Sequence, residues 1–191
     1  MNNYYETLND TVRNTFAGIV WTHKIHEKQA DIYYKKLEIM KTAGIITSSL
    51  TCTGVFSTIF VDQFWVKIAS GLLSLVSTAT NLYLKYNDLN TLVQSHKKTA
   101  VELLELREEF ESLLMHIKNP ANHSIADLEK IYDKLKNKKN SIYKDAPITT
   151  NKAVKLAKQA LNVAKDNEFS DEEINSFLPP SLHKEKFSKW T

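Results

Sequence analysis

The chain has a single cysteine, four glycines and four prolines in 191 residues. One cysteine, Cys52, excludes an intrachain disulfide framework, and nothing argues for an extracellular module. No CxxC or HExxH spacing is present, no Gly-rich phosphate loop, no nucleophile elbow and no carboxylate pair in a recognisable frame. The expectation is therefore no enzyme, no cofactor and no metal. All four prolines (Pro120, Pro147, Pro179 and Pro180) lie late in the chain, so nothing breaks a helix before residue 120. Three of the four glycines (Gly44, Gly54 and Gly71) fall between Ala43 and Leu84, where they mark close packing. A basic leader is also missing, and some forty mostly polar residues precede the first apolar run, so a cleaved signal peptide is not expected. The length suits one compact domain or two small modules.

What the sequence does have is two stretches without charge. "AGIITSSLTCTGVFSTIFV", residues 43–61, carries seven hydroxyls in nineteen residues, and "IASGLLSLVSTATNLYL", residues 68–84, follows after a short loop. As a helix the first is about 28 Å long, close to the roughly 30 Å thickness of a bilayer's hydrocarbon. A soluble bundle with both runs as central helices is the alternative, but a chain this short cannot easily bury two all-uncharged helices on every side. The preferred reading is a two-span hairpin. Lysines crowd the segments before and after it, which puts both ends in the cytoplasm and makes the protein multi-pass. Phe64 and Trp65 suit the outer interface, and Tyr33, Tyr34, Tyr83 and Tyr86 the inner one.

On a helical wheel the polar residues gather. Gly44, Ser48, Thr51, Val55 and Thr58 share one side of the first run, with Thr47 and Gly54 flanking it. Ser70, Ser74, Ser77 and Asn81 share one side of the second. Two readings stay open. The stripes pack helix on helix, with hydroxyls returning bonds to carbonyls four residues back, or several hairpins assemble around a wetted path lined by them. One hairpin needs only one stripe for its own contact, so the second favours oligomers.

Both flanks read as helix. Tyr5, Leu8, Val12, Phe16, Ile19, His23, His26, Ala30, Tyr33, Leu37 and Met40 recur at threes and fours, with Gly18 a weak point. Leu89, Leu92, His96, Thr99, Leu103, Leu106, Phe110, Leu113 and Ile117 form a heptad that extends back through Leu82, Leu75 and Ile68. The second span is thus expected to run unbroken into its arm, and the two arms to pack antiparallel. His23, His26 and His96 then meet in a polar layer of the cytoplasmic core. A metal cluster with Glu27 and Asp31 is conceivable, but hydrogen-bonded core histidines, or a pH-sensing layer, suit the spacing better.

The fold class is all-α: a transmembrane hairpin continuous with long cytoplasmic helices (residues 1–118, spans about 43–61 and 68–84), then short C-terminal helices and a tail (119–191). "SIAD" at 124–127 caps a helix to about Lys139, Thr149 or Thr150 caps the next, and "SDEE" at 170–173 caps another that Pro179 and Pro180 end. The Lys-rich stretch 128–144, with Lys134, Lys136, Lys138 and Lys139, is a possible contact for anionic lipid, nucleic acid or a nucleotide, or a plain solvated face.

The order "VWTHKIHEKQADIYYKK", hairpin, "HKKTAVELLELREEFESLL" and "YKDAPITTNKAVKLA" resembles the SLATT family, bacterial two-span proteins named for association with SMODS and SLOG domains. The likeness covers about Ile19 to Lys165 and rests on Trp21, His26, Glu27, His96, Arg107, Ala146 and Pro147, with no catalytic assignment to carry over to them. It implies an anti-phage effector in the bacterial inner membrane, a homo-oligomer that opens a pore, depolarises the cell and causes abortive infection. Its trigger is expected to be a separate cyclic-oligonucleotide synthase, SLOG protein or reverse transcriptase, or a nucleotide ligand. The alternative is a non-conducting membrane scaffold or partner-binding module.

Overall fold

The structure is a computed structural model that describes residues 2–60, 63–119, 123–166, 169–179 and 183, with side chains in those ranges except at 2, 3 and 57–60. Its described regular elements are all helices: α1 (Asn2–Phe60), α2 (Phe64–Asn87), α3 (Leu89–Lys118), α4 (Ile125–Asp145), α5 (Asn151–Asn162) and α6 (Asp171–Phe177). The first compact unit is Met1–Ala157 and the second Lys158–Thr191.

Helix α1, at 59 residues, is about 88 Å long. With no proline to remove a hydrogen bond, nothing interrupts it, and it passes straight through Gly18. The chain returns along it as α2 and then α3. Partners descend in number as α1 ascends: His26 meets His96, Ser48 meets Ser77 and Gly54 meets Ser70, so the pairing is antiparallel.

The return is not one helix. Asp88 separates α2 from α3 in the left-handed conformation (φ 35°, ψ 55°) and accepts a bond on its side chain from the Thr91 amide at 3.2 Å. A short polar residue tolerates that backbone and caps the new helix. The break corrects the expectation of an unbroken second span. It also resets the heptad: Val93 rather than Leu92 is buried, and Ile68, Leu75 and Leu82, which the extended register turned inward, face outward.

The base of the molecule is a three-helix core. Leu8, Val12 and Ile19 of α1 pack with Leu103, Leu106, Phe110, Leu113 and Ile117 of α3 and with Leu128, Leu135 and Ile142 of α4. The seven-residue spacing of the α4 residues shows a narrow apolar stripe, which explains how a lysine-rich helix docks at all. That stripe carries α4 beyond Lys139, its expected end, because Ile142 is still buried. Ser124 caps α4 by accepting from the Asp127 amide at 3.2 Å. Ala153 and Ala157 of α5 pack against Ile25 in a smaller cluster with Trp21, Ile32 and Val154.

In the second unit Ser170 and Glu173 form the expected capping box of α6. That helix ends at Phe177, and Pro180 lies outside the described residues.

Phe110 is fully buried, so Phe110→Ala should cost about 3–5 kcal/mol. Far-UV circular dichroism should show a clearly lower melting temperature for it, and almost none of that loss for the exposed Met115→Ala.

Candidate functional site: the hairpin seam and the histidine layer

Two features of the first unit carry polar chemistry where apolar packing would be simpler. The first is the seam between α2 and the end of α1. A Cβ placed on Gly54 meets the Ser70 hydroxyl oxygen at 2.6 Å, and one on Gly44 lies 3.8 Å from the Asn81 side-chain oxygen. Between them Ser48 and Ser77 share a hydrogen bond at 3.0 Å. The two stripes thus face each other inside one hairpin. Small residues bring the backbones together, which is the helix-packing reading of Gly44, Ser48, Ser70 and Ser77. The surplus stripe inferred from the sequence is not there in the single chain. Ser74 and Asn81 are exposed at the seam's margin, Thr51 is half-buried, and the side chain of Thr58 lies outside the described residues.

Most of the described hydroxyls of the hairpin bond to the protein itself. Thr47 donates to the Ala43 carbonyl at 2.9 Å and Thr51 to that of Thr47 at 2.8 Å. On the outward faces Ser49 bonds Ile45, Thr53 bonds Ser49 and Thr78 bonds Ser74, and half-buried Thr80, beside Gly44, bonds Val76, at 2.8 to 3.0 Å. A hydroxyl that returns its proton four residues back is cheap to place in an apolar medium. Around it stand exposed Ile45, Ile46, Leu50, Phe56, Leu72 and Leu75. Among the described residues no helix is long and apolar enough to cross a membrane. Serine, threonine, Asn81 and Lys67 dilute the apolar content of these helices, and the expected multi-pass topology thus has no support from helix hydropathy.

The second feature is a buried layer where the arms meet. His26 and His96 face each other, Nδ1 to Nδ1, at 3.0 Å, and the Tyr33 ring lies 5.5 Å from that of His96. One ring donates and the other accepts, so the accepting ring is neutral. Burial holds the pKa of His26 down to about 4, helped by His96 and His23. Burial also lowers His96 and His23; on the latter Glu27 pulls upward while Arg107 and Lys24 push down. Glu27 takes the Lys24 ammonium at 2.7 Å and lies 3.8 Å from His23. Among the described residues no group of three or more histidine, cysteine or acidic side chains could hold a metal ion.

Sequence reasoning missed Gln29. Fully buried, it accepts on Oε1 from both the Thr150 amide at 2.8 Å and the Thr150 hydroxyl at 2.7 Å, tying the connector before α5 to α1. Its position, three residues past His26, was one more polar residue on a helix, and nothing local marks a partner 121 residues away. Three buried polar atoms lack a partner among the described residues: Nδ1 of His23, Nε2 of Gln29 and Nε2 of His96. All belong to this layer. Trp21 packs against the Ile25, Ala153 and Ala157 cluster, and Ala146 caps the C-terminus of α4 where the connection to α5 begins.

The lysine-rich stretch of α4 does not make one face. Lys138 bonds Glu109 at 2.8 Å, which raises its pKa, and Lys139 lies over the Tyr143 ring at 5.7 Å. Lys134 borders a cleft shared with Glu109, Ser112 and His116, while Lys136 is exposed. The carboxylates of α3 answer Lys138 alone among these four lysines, through Glu109.

These features define a class: an all-helical hairpin protein with its small and polar residues turned inward and its apolar ones outward, built on an antiparallel arm with a polar layer. The chain belongs to the SMODS and SLOG-associating 2TM effector domain family 4, whose pattern matches residues 8–173. No curated protein and no solved structure matches it. The family's description makes it an effector domain that associates with SMODS and SLOG proteins.

The Gly54 contact predicts a paired outcome. Gly54→Ala should lower hairpin stability by about 1–3 kcal/mol, and Ser70→Ala, by removing the clashing oxygen, should restore most of it. Thermal unfolding of the four species in detergent checks this. Gln29→Leu and Thr150→Val should each destabilise, and together cost about 0.5–3 kcal/mol less than the sum, in the same assay.

Proposed function

We propose that the chain is the membrane effector of a bacterial defence system, with the α1–α2 hairpin as its membrane element. It carries out no catalysis. Copies assemble in the cell membrane with both termini in the cytoplasm, and a separate sensor or signalling protein, or a nucleotide it makes, shifts them from a closed to an open, depolarising state. Family membership supports an effector. The observation that carries the membrane reading is the exterior of the hairpin, where outward Ser49, Thr53 and Thr78 are bonded to their own helix and the large exposed side chains are mostly aliphatic and aromatic. Such a surface suits hydrocarbon even where a hydropathy count, which charges every hydroxyl as if it were unpaired, does not.

A second reading has an observation of its own. Because the stripes close on each other through Ser48–Ser77 and Gly54–Ser70, a hairpin with no surplus polar face also suits a non-conducting scaffold that binds a partner.

Membrane potential decides between them. Induced with its neighbouring genes, the protein should depolarise cells loaded with a potential-sensitive dye. Asn81→Leu and Ser74→Leu, at the margin of the seam, should abolish that response without lowering membrane abundance. Depolarisation that survives both changes removes these residues from any path; silence with and without the neighbours favours the scaffold.

A further inference from the structure

We propose that the His26–His96 pair is a proton-operated latch, holding the two arms together while its rings share one hydrogen bond and releasing them when both rings are charged. The geometry is a single contact between α1 and α3, Nδ1 to Nδ1 at 3.0 Å, with ring centroids 5.1 Å apart. A shared bond needs one N–H and one bare nitrogen. When both nitrogens carry protons two donors oppose each other, and two positive charges share a site from which water is excluded: His26 is 3% and His96 0% exposed.

Among the described residues no carboxylate is bonded to either ring. On α1 stand His23, itself buried, and the Lys24–Glu27 ion pair, whose carboxylate already holds a lysine; the cleft they border also carries Lys28, Lys97 and the exposed Asp31. From α3 comes Arg107, a further positive charge acting on His23. The Tyr33 ring covers His96. The start of α5 brings Ala153 and Ala157 to the neighbouring Ile25 cluster, and Thr150 is engaged by Gln29.

The cluster is also incompletely bonded. Its three unpartnered polar atoms, on His23, Gln29 and His96, leave it short of hydrogen bonds within an otherwise well-satisfied arm. The linkage sign agrees. His26 titrates near 4 in the folded chain against an ordinary 6.5, so the open form binds more protons between those values. The closed arms have their full stability above about 6.5 and lose it progressively as pH falls toward 4. This inference concerns the arms alone and holds whether or not the hairpin conducts.

Spin labels at Lys35→Cys on α1 and Gln94→Cys on α3, both exposed sites, in a Cys52→Ser background, report arm separation in full-length protein held in detergent micelles. Between pH 7.5 and 4.5 a longer distance should grow reversibly from the minor to the major population, with helix content retained. The His26→Leu/His96→Leu protein should stay at the short distance throughout. His96→Gln, which keeps a neutral hydrogen-bonding amide, should also stay closed, and stands in if the leucine pair fails to hold the arms at pH 7.5. A wild-type distance that does not move, opening only with loss of helix, or opening of His96→Gln over the same pH range as the wild type overturns the latch.

Discussion

Everything in the first unit follows from one constraint: a helix as long as α1 has to be covered along its length, and no single partner reaches that far. Its partners change with height. At the base α3 and α4 enclose it in leucine, isoleucine and phenylalanine; at the histidine layer α3 and the start of α5 meet it; beyond that the first turns of α3 and then α2 remain. Each change of partner changes the chemistry α1 must present. Three-helix packing rewards bulky aliphatics, whereas a lone pair of helices gains most from close approach, and there α1 carries Gly44, Thr47, Thr51 and Gly54.

That progression was legible where periodicity is the whole signal. The stripe from Tyr5 to Met40 is buried or half-buried at every position, because one continuous helix keeps its phase. Caps at Ser124 and Ser170 were legible because they act within four residues. Asp88 was not. A single left-handed residue breaks the phase between two helices while leaving both heptads intact on either side, so a pattern read through it carries the wrong face into α2. The Gln29–Thr150 clasp was invisible for another reason: hydrogen bonds across 121 residues leave no trace in spacing.

The seam changes what its polar residues say. Seen on separate wheels, two stripes looked like one too many; in space each is the other's partner, and only Ser74 and Asn81 stay exposed at the edge. Wheel arguments count faces per helix, but an antiparallel pair spends one face from each. The margin residues, not the seam, are therefore where a polar surface for other copies has to be sought.

Placing histidines rather than leucines where α1 passes from three-helix packing to pairing with α2 has a cost and a use. Leucines would stabilise the arms more, yet would also permit sliding by a turn, since one leucine fits the next one's place. A facing histidine pair fits only in register, because a one-turn slip leaves both Nδ1 atoms buried without a partner. The same is true of Gln29 against Thr150. Two such contacts close together fix α1 lengthwise against α3 and the α5 connector. Since α1 is a single helix from this layer to the hairpin, any shift of the arms arrives at Gly54, where a displacement of even one residue would set a side chain against Ser70 in a place with room only for glycine.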